Sequence, residues 1–301
     1  MYKNFNELME QVSVSYKNKK VVAVMAAEDS HTLEAVCQAA RLGVVEPFLI
    51  GNKDKIKEQL FLLDEMPSQY QIVQAEGTED VVLKATGLIH AGEAHFLMKG
   101  LLPTGQMMKM LLSEKARFRT DRQMTHLSLV EIPNYHKLLG LTDVALSVSP
   151  DLDLKRVIVE NAVRTMARMG FENPKVAILA AVEQVNLKMP DTVEAAELKK
   201  LNEKGKICGC TIEGPISYDL AISKEAARVK GYESPVSGEV DLMVVPNLAT
   251  GNVLLKALRY SAQARSAGVV VGGRAPLVLT SRAAEVESKY LPIILAAAAS
   301  N

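Results

Sequence analysis

Apolar runs of strand length alternate with helical stretches along this chain, and that alternation restricts the fold more than any other feature. Residues 21–27 form a continuous apolar run. Glu28, Asp29 and Ser30 then offer a helix N-cap, a helical pattern follows to Leu42, and Gly43 fits the C-cap. After an opening amphipathic helix at 3–16, strands are expected at 21–27, 44–50, 70–75 and 94–98, with helices at 54–64 and 78–91. Strands apolar on both faces, each followed by a helix, belong in a parallel sheet covered by helices. A helix at 104–115, a basic turn at 117–123, strands at 127–132 and 143–148 and a long helix at 153–169 come next. Alternation then resumes with strands at 176–182, 207–213, 240–245 and 269–271, and helices from Pro190 to Lys204, from Ser217, and at 251–267. The expected fold class is α/β, as two α/β domains with mainly parallel sheets. Residues 1–146 make the first domain, rejoined by a C-terminal helix at 281–301, and residues 147–280 make the second.

In open parallel sheets, ligands bind where strands end and helices begin, so anion-holding chemistry is expected in those turns. Residues 275–279 read as a buried strand that delivers Thr280, Ser281 and Arg282 to the start of a helix. First-turn N–H groups, the helix dipole and a planar guanidinium together make an anion site; a plain Ser281 cap beside a solvated Arg282 is the simpler alternative. Lys99 and Gly100 end another strand, and Thr104 is placed to cap the following helix, on which Lys109 lies five residues further. Asn247, Thr250, Gly251 and Asn252 form a third such turn, with Lys256 one turn beyond. Arg117, Arg119 and Arg122 offer a grip for a polyphosphate or a solvated basic loop, and His126 next to Thr125 is a packed residue or a functional one.

Other chemistries find no support. Lys+Arg and Asp+Glu are balanced at 35 each, which argues against a chain-wide nucleic-acid surface. The sequence has neither a P-loop nor a Gly-x-Gly-x-x-Gly fingerprint after the first strand, and no His-Glu-x-x-His motif. Cys37, Cys208 and Cys210 are too few and wrongly spaced for a disulfide framework or a zinc knuckle, so no metal is expected and reduced thiols in a cytoplasmic protein are. The N-terminus lacks the apolar core of a signal peptide, and the apolar run at 291–299 is too short to span a bilayer.

Taken in order, these stretches resemble the phosphate acetyl/butyryltransferase family, nearest to its branch for four-carbon and branched acyl groups. The resemblance rests on residues 21–42 with their Ala-Ala-Glu-Asp turn, Met98-Lys99-Gly100-Leu101, Leu141-Thr142-Asp143-Val144-Ala145 and Glu172-Asn173-Pro174-Lys175. Lys188-Met189-Pro190, Gly214-Pro215, Pro246-Asn247 through Asn252, and Leu279-Thr280-Ser281-Arg282 complete it, over about residues 5–295. It implies an isocitrate/isopropylmalate dehydrogenase-like fold with the active site in a cleft between the domains. It also implies reversible acyl transfer between coenzyme A and phosphate, without a cofactor, in a homo-oligomer acting on small molecules, with no nucleic-acid or membrane partner. Ser281 and Arg282 match the family's catalytic pair, while Thr104, Asn252 and Lys256 fall at the acyl-phosphate site. Lys99, Lys109 and Arg119 fall at the CoA site, with a lysine at 109 where relatives carry an arginine.

One departure concerns the base. Relatives commonly have Asp-Ser at the positions of Ala284 and Glu285, and no aspartate occurs in 281–301. Glu285 is the expected substitute, with Glu287 and the phosphate itself as the other candidates. A CoA- or acyl-phosphate-binding protein without catalysis is the alternative from outside enzymology. Dehydrogenases of the related fold need an aspartate cluster for metal, and none is found. A carrier-protein acyltransferase needs a basic docking face, of which the charge balance gives no sign.

Overall fold

A computed structural model describes residues 2–15, 19–279 and 286–300. The chain divides into two compact units, one of residues 1–5 and 123–266, the other of residues 6–122 and 267–301. The division falls at 122/123, not at the expected 146/147, and the chain re-enters the unit of residues 6–122 at Ala267, before the expected return at 281.

In the unit of residues 6–122 and 267–301, α1 (Phe5–Ser15) leads to β1 (Lys20–Met25), α2 (Ser30–Arg41), β2 (Val45–Gly51) and α3 (Lys53–Leu62). A one-turn 3-10 helix (Pro67–Gln69), β3 (Gln71–Gln74), α4 (Gly77–His90), β4 (Phe96–Lys99) and α5 (Thr104–Leu111) follow. Strands run β3-β2-β1-β4 in parallel. Beyond β4 lie β11 (Leu277–Val278), parallel to it, and then β10 (Arg265–Val271), antiparallel to β11. Val22, Ala23, Val24 and Met25 are fully buried, as a central strand covered on both faces requires. Asp29 caps α2 by accepting from Thr32 N–H at 2.9 Å, and Asn52 caps α3 by accepting from Lys55 N–H at 3.0 Å. The closing helix α11 (Val286–Ala299) packs against α2, with Ile293 through Ala297 fully buried.

The unit of residues 123–266 carries β5 (Thr125–Glu131), β6 (Leu139–Thr142), α6 (Leu152–Arg168), β7 (Lys175–Leu179), α7 (Pro190–Glu203) and β8 (Thr211–Ile216). Two short helices, α8 (Tyr218–Ile222) and α9 (Lys224–Val229), precede β9 (Leu242–Val244) and α10 (Leu248–Ser261). Its strand order is β5-β6-β9-β7-β8, parallel except for the β5–β6 pair. Leu141, Ala177, Ile216, Met243 and Val245 meet in one apolar cluster beneath α8 and α10.

The strand expected at 143–148 is instead β6 at Leu139–Thr142, and Asp143 begins a turn. The Asp143 carboxylate accepts from the N–H groups of Ala145 and Leu146, both at 2.9 Å, which takes the following backbone out of any ladder. The strand expected at 207–213 runs later, through Gly214 and Pro215. The helix expected at 251–267 starts earlier, at an Asn247 cap, and stops at Ser261 because residues from Arg265 onward pair as a strand.

Candidate active site

The turn after β9 is built on its asparagine. Asn247 Oδ1 accepts from Thr250 N–H at 3.0 Å and from Thr250 Oγ1 at 3.1 Å. Gly251 and Asn252 therefore sit inside α10 rather than before it. Asn252 is half-buried and Lys256 is exposed, four residues apart on one helical face. A groove of about 970 Å³ runs along another face of α10, lined there by Ala249, Val253 and Ala257 and not by Asn252 or Lys256.

Below α10 lies a hub at the start of β5. Thr125 is fully buried and its hydroxyl accepts from Asn161 Nδ2 at 3.1 Å. His126 N–H donates to Asp143 Oδ2 at 3.0 Å, and Thr142 Oγ1 donates to His126 O at 2.8 Å. Nδ1 of His126 is buried without a hydrogen-bond partner. Burial pushes the imidazole pKa below its ordinary value, against an opposing pull from Asp143, so the ring is held neutral.

In the other unit, the Lys99–Gly100 turn is fixed by backbone. Gly100 N–H donates to Met25 O at 2.8 Å and Leu101 N–H to Ala26 O at 2.7 Å. Lys99 is 4% exposed and its ammonium donates to Gly100 O. Thr104 is exposed and is the first residue of α5, whose N-cap is Pro103; it does not serve as the expected cap. Lys109 is exposed in the last turn of α5.

The basic turn gains a member that sequence reasoning missed. Phe118 is fully buried, which throws Arg117 and Arg119 on either side of it outward. Residues 272–274 pack against this turn. Arg274 N–H donates to Phe118 O at 3.1 Å, Arg274 Nε to Arg117 O at 2.6 Å, and Thr120 Oγ1 to Gly272 O at 2.6 Å. A Cβ on Gly273 would lie 2.7 Å from the Phe118 ring, so only glycine allows this approach. Exposed Arg274 is thus tied to the turn that carries exposed Arg117 and Arg119, which concentrates positive charge on this segment. The two glycines before Arg274 were the available signal.

Ser281, Arg282, Ala284 and Glu285 lie outside the described residues. Among the described residues, no group of three or more His, Cys, Asp or Glu is placed to hold a metal ion, and no helix is long and apolar enough to cross a membrane.

Residues 70–297 match the family described as "Phosphate acetyl/butaryl transferase". The chain is 40% identical over 297 residues to phosphate butyryltransferase from Clostridium acetobutylicum, covering 99% of this chain and 98% of that one. The chain belongs to this phosphate acetyl/butyryltransferase family. It is also 40% identical over 293 residues to phosphate acetyltransferase from Thermotoga maritima, covering 96% and 98% of the two chains. The crystal structure of a branched-chain phosphotransacylase from Enterococcus faecalis V583 superposes with a TM-score of 0.83 at 30% identity, over 93% of this chain and 99% of that one. The protein is therefore an acyltransferase of the phosphate acetyl/butyryltransferase family.

Within this phosphate acyltransferase the Ala-Ala-Glu-Asp turn has a structural task. Asp29 caps α2, and Glu28 Oε1 accepts from Asn52 N–H at 2.8 Å, pinning the start of α3. Both carboxylates are thereby engaged by the backbone. Cys37 and Cys210 are buried thiols, each with its pKa pushed up to about 11 by burial, which removes them as nucleophiles.

Proposed function

We propose that this phosphate acyltransferase exchanges a butanoyl group reversibly between coenzyme A and inorganic phosphate. The reading is carried by the full-length 40% identity to the Clostridium acetobutylicum phosphate butyryltransferase. Equal identity to the Thermotoga maritima phosphate acetyltransferase favours a second reading, a preference for acetyl or another short acyl group.

In the forward direction a phosphate oxygen attacks the thioester carbonyl. A C–O bond forms, charge gathers on the carbonyl oxygen, the C–S bond breaks, and the departing thiolate takes up a proton. In reverse the CoA thiol loses that proton and attacks the acyl phosphate. The chemistry demands a hold on phosphate, a stabilised oxyanion and a group to handle the thiol proton. Arg282 is assigned to the phosphoryl group and oxyanion, Ser281 to a hydrogen bond with the carbonyl or thiol, and Glu285 to the thiol proton. Asn252, Lys256 and Thr104 are assigned to the phosphoryl group. Lys99, Lys109 and Arg119 are assigned to CoA, and the Arg274 guanidinium beside Arg117 adds to that charge. The transfer calls for no metal or redox cofactor, and CoA enters as substrate. A cytoplasmic homo-oligomer is the setting the resemblance implies.

The test is kcat/KM with phosphate for butanoyl-CoA and acetyl-CoA side by side. A higher value for butanoyl-CoA is expected. A higher value for acetyl-CoA selects the second reading, and turnover of neither overturns the function.

A further inference from the structure

The Asp143 carboxylate is 2% exposed and lies at the end of β6. Its Oδ1 accepts from Ala145 N–H and Leu146 N–H, both at 2.9 Å, and its Oδ2 accepts from His126 N–H and Ser147 Oγ, both at 3.0 Å. A buried charge tied by this many donors fixes the turn that supplies them.

That turn is the seat of α10. Leu248 N–H, at the helix start, donates to Val148 O at 3.1 Å. Further along, Gly251 presses on the same turn: a Cβ there would lie 2.9 Å from Val144 Cγ1, 3.2 Å from Asp143 O and 2.7 Å from Val245 Cγ2. Asn252 is the next residue and Lys256 is one turn beyond. The helix thus rests on the Asp143 turn through a backbone hydrogen bond and through a contact that only glycine permits.

We infer that Asp143 is a positioning residue, which sets α10 and through it aims Asn252 and Lys256 at the phosphoryl group. The inference rests on the function proposed above. Asp143 acts by geometry: a misplacement of about 1 Å at a binding group costs on the order of 100-fold in rate.

The experiment measures kcat and KM for butanoyl phosphate and for CoA in the full-length protein and in Asp143→Ala, Asp143→Asn, Gly251→Ala, Lys256→Met and Asp143→Ala/Lys256→Met. Circular dichroism and thermal melting establish that each variant is folded. Asp143→Ala is expected to lower kcat/KM for butanoyl phosphate by about 100-fold while KM for CoA stays within about twofold. Gly251→Ala, which leaves the carboxylate in place and displaces the helix, is expected to give the same pattern. It carries the test with Asp143→Asn if Asp143→Ala does not fold. The double variant is expected to be no worse than the poorer single one, because both changes remove the same aimed ammonium. Losses that multiply in the double variant would overturn the inference, as would folded Asp143 and Gly251 variants with unchanged kinetics. A wild-type protein without acyl transfer overturns the functional reading itself, which separates the two failures.

Discussion

Lys256 stands exposed on α10, one turn from half-buried Asn252, with no part in the core. A hydrogen bond from a charged donor contributes about 1.5–3 kcal/mol, and each 1.4 kcal/mol is about tenfold in rate. Lys256→Met is therefore expected to lower kcat/KM for the acyl phosphate by about 10- to 100-fold with an unchanged melting temperature; steady-state kinetics and a thermal melt check both halves. His126 belongs to stability instead. Its folded pKa is lowered, so the unfolded chain binds the proton more readily. Its contribution is complete above the ordinary imidazole value of about 6.5 and is lost as pH falls through that value toward the lowered one. Urea midpoints between pH 7.5 and pH 5.5 are expected to fall in the wild type and to fall less steeply in His126→Gln. The hydroxyl, amide and lysine near α10 were legible as residue types in a turn. The Asp143 clamp was not, because apolar residues 144–146 and 148 read as a strand until the carboxylate is seen to take the N–H groups of Ala145 and Leu146.

At the scale of elements, the close approach of the chain leaving β4 to the end of β1 depends on Gly100. A Cβ there would lie 2.2 Å from Ala26 O, a backbone atom that cannot swing away. Gly100→Ala is expected to destabilise the fold by about 1–3 kcal/mol, the usual range for overpacking, read as a lower urea midpoint. Strands β1 and β4 could be read from sequence because Val22–Met25 and Phe96–Met98 are apolar runs buried on both faces, while β2 keeps Val45, Pro47, Leu49 and Ile50 buried around an exposed Glu46. β9 and β11 span only Leu242–Val244 and Leu277–Val278, and their limits are set by neighbouring strands, a long-range property that no local pattern carries. The same applies to α10, where apolar periodicity runs on past Ser261 but pairing from Arg265 takes the chain into β10.

For the whole molecule, sequence alternation conveyed the α/β class and the mainly parallel pairing, while the division of the chain at 122/123 and 266/267 follows from how distant segments pack. Family membership rests on agreement over the full length rather than on any single motif, which is why weak turns read in order were enough to indicate it. Charge balance across the chain hid the local gathering of Arg117, Arg119 and Arg274, since net charge carries no information on placement. The most direct measurement is release of free CoA thiol from butanoyl-CoA by the purified, metal-free protein, with and without phosphate. Thiol release that requires phosphate, matched mole for mole by acyl phosphate trapped with hydroxylamine, is the expected result. CoA binding without phosphate-dependent thiol release would contradict acyl transfer and leave a binding protein in its place.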